Sequence, residues 1–195
     1  MKFLPIALLL ISTPLWAAIS TNTNVLTVKA ELVTGSCYIA ASDIDLGDLD
    51  ASEFSAGGAW ADLSATTQGN VTLAGQMLTL SCDSGSVAKS LVMSIKPQKA
   101  QLTGNQIFPN EYTGPTGRVK STTAAGNVGV VAFYGGKNVL NKDNTSEVII
   151  DSNYIGIDGN KVLPVLRARF QKIDSSKPVT PGGVLSQVQI SVSYK

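Results

Sequence analysis

The final stretch of the chain, "GVLSQVQISVSYK" (183–195), decides the fold class. From Val188 onward it alternates, so that one face of a strand would carry Val188, Ile190, Val192 and Tyr194. A period of two predicts a half-buried β-strand. Chain ends fray unless something holds them, so this strand requires a neighbour to pair with.

Seven further stretches have strand character, with Gly, Asn, Ser and Thr between them. They are Val25–Tyr38, Asp43–Leu49, Val71–Cys82, Ser90–Lys96, Gly129–Tyr134, Glu147–Ile150 and Val162–Ile173, and the final strand is predicted over Leu185–Tyr194. Turn signals separate several of them: "GG" at 57–58 and 135–136, "DG" at 158–159 and "PGG" at 181–183. Short strands at this spacing predict an all-β sandwich of immunoglobulin-like type.

The first residues have the pattern of a secretory signal peptide. Lys2 precedes an apolar run that is too short to cross a bilayer, and small residues follow it at Ala17 and Ala18. We expect a signal peptide over 1–17 and a mature protein of about 178 residues. Without Lys2 the chain has 14 basic and 14 acidic residues, so no basic field attracts nucleic acid and no membrane insertion is expected.

The residue types present argue against an enzyme. The chain has no histidine, which excludes Ser-His-Asp and Cys-His catalysis and His-ligated metals. The acidic run "DIDLGDLD" (43–50) has Asp48 and Phe54 where a calcium loop needs Gly and Glu. It predicts a strand with solvated acids, so neither a cofactor nor a metal is expected.

The first predicted strand is too long for one element. A strand from Leu26 to Cys37 would span about 40 Å, twice the usual length. We therefore divide it into an N-terminal arm, 18–30, and a domain, 31–195. The even positions Leu26, Val28 and Ala30 form the arm's apolar face, with Asn24 farther out.

Two cysteines occur, Cys37 and Cys82. In an oxidising compartment an even pair most simply means one disulfide. Two unpaired buried thiols are the alternative.

Taken together, these features resemble a chaperone–usher pilin, the fimbrial subunit of Gram-negative bacteria. The resemblance rests on the alternating arm, a cysteine in "AELVTGSCYIAASDIDLGDL" (30–49), a second in "LTLSCDSG" (78–85), and an alternating final strand with Tyr194 next to last. It implies an incomplete immunoglobulin-like sandwich that lacks its last strand and is completed by a donor strand. It also implies a surface fimbrium that supports cell adhesion, with subunits secreted through the periplasm and assembled by donor-strand exchange.

The resemblance also assigns residues and partners. The donor-strand residues would be Asn24, Leu26, Val28 and Ala30; the groove edge and chaperone-contacting strand would carry Val188, Ile190, Val192, Tyr194 and Lys195; the family disulfide would join Cys37 and Cys82. The implied partners are neighbouring pilus subunits, a periplasmic chaperone and an outer-membrane usher. Family arms usually have a glycine in the pocket-facing register, whereas this arm has none and Asn24 is nearest.

Alternative interpretations remain for several features. Leu26–Leu32 and Val188–Tyr194 could be ordinary strands of a closed sandwich, and the protein could be a minor adaptor or a ligand-binding, adhesin-like subunit. The interpretation of "RAR" (167–169) is one solvated face of a strand. In the long loop 51–70, Phe54 and Trp60 are expected to plug the core.

Overall fold

The fold is that of a β-sandwich with two five-stranded sheets. The computed structural model describes residues 24–32, 37–54, 71, 73–82, 90–98, 106–116, 118–143, 145–151 and 159–194. The strands within these ranges are β1 Asn24–Leu32, β2 Cys37–Ala40, β3 Ile44–Gly47, β4 Ala74–Cys82, β5 Leu91–Pro97, β6 Val128–Tyr134, β7 Lys137–Asn138, β8 Val148–Ile150, β9 Gly159–Lys172 and β10 Leu185–Tyr194.

Each sheet has one face on a shared core. Sheet A has the strand order β3-β1-β10-β5-β8, and sheet B has the order β2-β4-β9-β6-β7. In β5 the alternation appears directly, because Leu91, Met93 and Ile95 are buried while the residues between them are partly exposed. Alternate burial of this kind, seen also in β2 and β3, produces the predicted sandwich, whereas β6 is buried on both faces.

The long first run is divided between the two sheets. β1 ends at Leu32 in sheet A, and β2 begins at Cys37 in sheet B. The expected arm ended at Ala30, so β1 continues two residues beyond that boundary. Residues 1–17, with the predicted signal peptide, lie outside the described residues.

The disulfide fastens β2 to β4. Cys37 and Cys82 are directly opposite each other in the β2–β4 register and are bonded, with their Cα atoms 3.9 Å apart. The predicted pairing is confirmed. It fixes the start of sheet B five residues after β1 ends.

The "GG" signal at 135–136 forms the tight turn between β6 and β7. Gly135 and Gly136 have φ angles of 57° and 81°, which residues with a side chain rarely adopt. The sequence predicted the turn but not the two-residue strand β7 that follows it, where Lys137 pairs with Tyr134.

The interpretation of Arg167 and Arg169 as one solvated face was wrong for the second residue. Arg167 is exposed, but Arg169 is fully buried. Its guanidinium lies 5.6 Å from the centroid of the Phe133 ring and donates to the Gln171 side chain at 2.5 Å. The same face of β9 is therefore open at one residue and covered two residues later.

Phe54 plugs the core as predicted. It closes a short 3₁₀ helix, Ala51–Phe54, and its ring meets that of Phe170 edge-on at 6.4 Å. Trp60 lies outside the described residues. Among the helices of the described residues, none is long and apolar enough to cross a membrane.

Candidate functional site

The N-terminal strand β1 fills a gap between the C-terminal strand β10 and β3. Along β10, Val25 pairs with Leu185, Val28 with Val188 and Leu32 with Val192. On its other side only the beginning of β1 is paired, where Leu26 lies opposite Ile44 of β3. β1 thus joins two strands that would otherwise have no partner at this position.

The β1–β10 pair is parallel. The other strand pairs within the described ranges are antiparallel. Parallel neighbours require a crossover connection, and here nearly the whole domain forms it. Sheet A therefore depends on the N-terminal strand β1 as a neighbour for the C-terminal strand β10.

The inward face of β1 belongs to the core. Leu26 is fully buried and Val28 is 8% exposed, in the same cluster as Val188 and Ile190 of β10. Burial of each β1 side chain contributes roughly 1.5–3 kcal/mol before ordering costs. If β1 left, apolar surface and the edge of β10 would both become exposed, and each promotes aggregation.

A small pocket lies near the beginning of β1, and its lining includes Leu49, Phe54, Phe170 and Val184. Leu49 follows Gly47, the register partner of Asn24, and Val184 precedes Leu185, the register partner of Val25. The pocket is therefore bounded by chain segments that adjoin β3 and β10, the two strands flanking β1.

A family model described as "Fimbrial protein" matches residues 25–195 of the chain. The chain belongs to the fimbrial protein family. No individual curated protein matches it. The family is structural rather than enzymatic, and its members associate with other pilus subunits in a surface fimbrium. The match begins at Val25, so all of β1 except Asn24 is within the family domain.

Not every sequence-predicted site residue of this fimbrial protein has a described side chain. Val188, Ile190 and Val192 are buried on the inward face of β10. Ala30 lies opposite Ile190, and Tyr194 pairs with Leu91 through the backbone. The side chains of Ala30, Tyr194 and Asn24, and the whole of Lys195, lie outside the described set. Their roles stay predictions.

The sequence did not predict the segment that holds the beginning of β10. Asn110 donates its amide N–H groups to the carbonyls of Ala125 (3.0 Å) and Gly183 (2.9 Å). Its Oδ1 accepts the N–H groups of Tyr112 (3.1 Å) and Leu185 (3.0 Å). One side chain thus satisfies four backbone groups. The sequence over 108–127, "FPNEYTGPTGRVKSTTAAGN", is rich in loop-forming residues but does not indicate this role for Asn110.

Among the described side chains, two carboxylates lie on the β3 side of the fimbrial protein's β1 site. Asp43, just before β3, forms an ion pair with Arg118 at 3.4 Å. Asp45 accepts the N–H of Gly47. Within the described residues there is no group of three or more residues that could hold a metal ion. The surroundings of β1 suit strand binding by apolar burial and backbone hydrogen bonds.

Proposed function

We propose that this fimbrial protein is a polymerising subunit that uses donor-strand exchange. The observation that carries the proposal is the parallel β1–β10 ladder, in which a terminal segment of the chain fills a strand position in the sandwich. A second copy has the same segment. The strand from one subunit can therefore take the place of β1 in the next, with residues 18–30 as the donated arm.

The described arrangement is then the self-sealed form of the subunit. β1 lies in the subunit's own groove, which is the gap between β10 and β3, and Leu26 and Val28 are buried there. Exchange replaces one strand by an equivalent one, so it requires no external energy source. An incoming strand that paired antiparallel with β10 would gain slightly, since antiparallel ladders are somewhat more stable per residue.

The same groove would also bind the proteins that assist assembly. A periplasmic chaperone would contribute a strand to β10 before assembly, since an open groove promotes aggregation. Tyr194 and the carboxylate of Lys195 would meet that chaperone, and an outer-membrane usher would receive the complex. The signal peptide at 1–17 would direct the chain to the periplasm.

Deletion of residues 18–30 tests the proposal in cells that make the fimbria. The shortened subunit should be recovered bound to chaperone and should fail to extend fibres seen by electron microscopy. As a matched pair, Leu26→Ser with Val28→Ser should reduce fibre length, while the outward-facing Thr27→Ser should not. Fibres of normal length from the deleted chain would contradict the proposal.

A further inference from the structure

Val25 is buried on the face of β1 that points away from the core. Its exposed fraction is 3%, whereas its neighbour Leu26 faces the space between the sheets. Successive residues of a strand point to opposite faces. Val25 is also outside the buried cluster that includes Leu26 and Val28. Part of the protein must therefore cover the outer face of sheet A at Val25.

Residues 109–116 and 118–119, which we call the outer strap, are fastened on both sides of this position. On one side, the N–H of Glu111 donates to the carbonyl of Leu185 at 2.7 Å, and Leu185 is the register partner of Val25. On the other side, Arg118 pairs with Asp43 at 3.4 Å. Asp43 adjoins Ile44, the partner of Leu26. The two attachments therefore lie on β10 and beside β3, the two strands that flank β1.

The outer strap has two buried apolar side chains of its own. Tyr112 and Val119 are 4% and 3% exposed, and both lie outside the inter-sheet cluster. The Tyr112 ring lies so close to Gly183 that a Cβ on that glycine would come within 2.6 Å of it. The Tyr112 hydroxyl donates to the carbonyls of Val119 and Ser121. These contacts place a compact apolar surface beside the beginning of β10.

We propose that Val25 is a specificity-determining residue, packed beneath Tyr112 and Val119 of the outer strap. The first residues of a strand in this groove are then contacted on both faces. The core packs against the inward residue at the Leu26 position, and the outer strap packs against the outward residue at the Val25 position. The consequence of this packing for fibre assembly rests on the proposed function. A strand that replaces β1 therefore requires adjacent apolar residues at the positions of Val25 and Leu26. Beyond Leu26, an apolar residue at every second position is enough.

Hydrogen exchange of the full mature chain, measured by mass spectrometry over residues 24–32, tests this packing. Val25→Ser should speed exchange of β1 by about tenfold or more, as expected for the loss of a buried valine. Thr27→Ala, the next outward residue, should change it by less than about threefold. Should Val25→Ser fail to fold, Val25→Thr, which replaces one methyl by a hydroxyl, should shift exchange in the same direction. Equal effects of the Val25 variants and Thr27→Ala would overturn the proposal.

A double-mutant cycle identifies the strap as the cover. Val25→Ser and Val119→Ser remove the same contact, so the double variant should exchange hardly faster than the faster single variant. Exchange rates that multiply would overturn the proposal by showing that the two residues act independently. Neither outcome depends on fibre growth. Failure of the strap contact can therefore be distinguished from failure of donor-strand exchange, which the 18–30 deletion tests.

Discussion

Val28 lies directly opposite Val188 in a parallel ladder, with exposed fractions of 8% and 0%. The two valines are 160 residues apart in the chain, yet they share one core. β10 has β5 on one side and β1 on the other. The C-terminal strand β10 is therefore paired on one side by the N-terminal strand β1.

Leu26→Ala should destabilise the isolated mature subunit by about 2–5 kcal/mol, the usual cost of emptying a buried leucine site. Leu26 is fully buried between the sheets. The matched control is Thr27→Ala, one residue along and half-buried on the outer face. Denaturant unfolding measures both variants. An effect of Leu26→Ala as small as that of the control would show that β1 does not occupy the groove in solution.

Replacing Cys37 and Cys82 together by alanine should lower the free energy of unfolding by about 4 kcal/mol in the chain-entropy model. The two residues enclose a separation of 45 residues and are bonded between β2 and β4. Chemical denaturation of the oxidised wild type and of the double variant provides the comparison. Equal unfolding midpoints would show that this disulfide does not restrain the unfolded chain.

Stability should fall in strong acid through Asp174, in the turn between β9 and β10. Hydrogen bonds from the hydroxyl and N–H of Ser176, then the Lys177 ammonium, lower the pKa of Asp174 from 3.8 to about 2. A lowered pKa means that the fold favours the carboxylate. The stabilisation is therefore full above about pH 4 and disappears as the pH falls through about 2.

Asp174→Asn should consequently reduce the unfolding midpoint at pH 6 and have little effect near pH 2. The exposed Asp48 provides a control, since Asp48→Asn removes a carboxylate from another loop. Urea titrations at a series of pH values make the comparison. A deficit for Asp174→Asn that is as large at pH 2 as at pH 6 would rule out the carboxylate as its cause.

Tyr194→Ala should weaken capture by the proposed periplasmic chaperone. Tyr194 ends β10, opposite Leu91, at the tip of the strand that a chaperone would pair with. Co-purification of the two proteins from periplasmic extract measures the capture. Ser193→Ala, at the adjacent exposed position, serves as the control. Undiminished recovery of the Tyr194→Ala complex would exclude this contact.

Much of the architecture could be predicted because several strands bury one face and leave the other partly exposed. The alternation in β5 and β10 follows from that burial. The long run from Val25 to Tyr38 had to break because a single strand of that length exceeds the sandwich, and it does so between Leu32 and Cys37. The strand β7 could not be predicted, because two residues are too few to show an alternation of buried and exposed side chains.

The arrangement around β1 was less predictable. Periodicity shows that Val28 and Val188 face a core, but it does not identify which strands are neighbours or whether they run parallel. The burial of Val25 also breaks the alternation, because the outer strap comes from 84 or more residues farther along the chain. Arg169 was wrongly assigned to a solvated face for a similar reason: cover on the outer face of a sheet leaves no mark in the strand's own sequence.

A cross-linking measurement tests the central claim most directly. Thr27 and Gln187 are register partners in the β1–β10 ladder, at a spacing that suits a disulfide. In the free mature subunit, Thr27→Cys with Gln187→Cys should form an intramolecular cross-link under mild oxidation, whereas Thr27→Cys with Ser193→Cys should not. The locked subunit should then fail to join fibres. The account would be contradicted if the Cys pair at 27 and 187 stayed unlinked, or if the locked subunit polymerised as readily as the wild type.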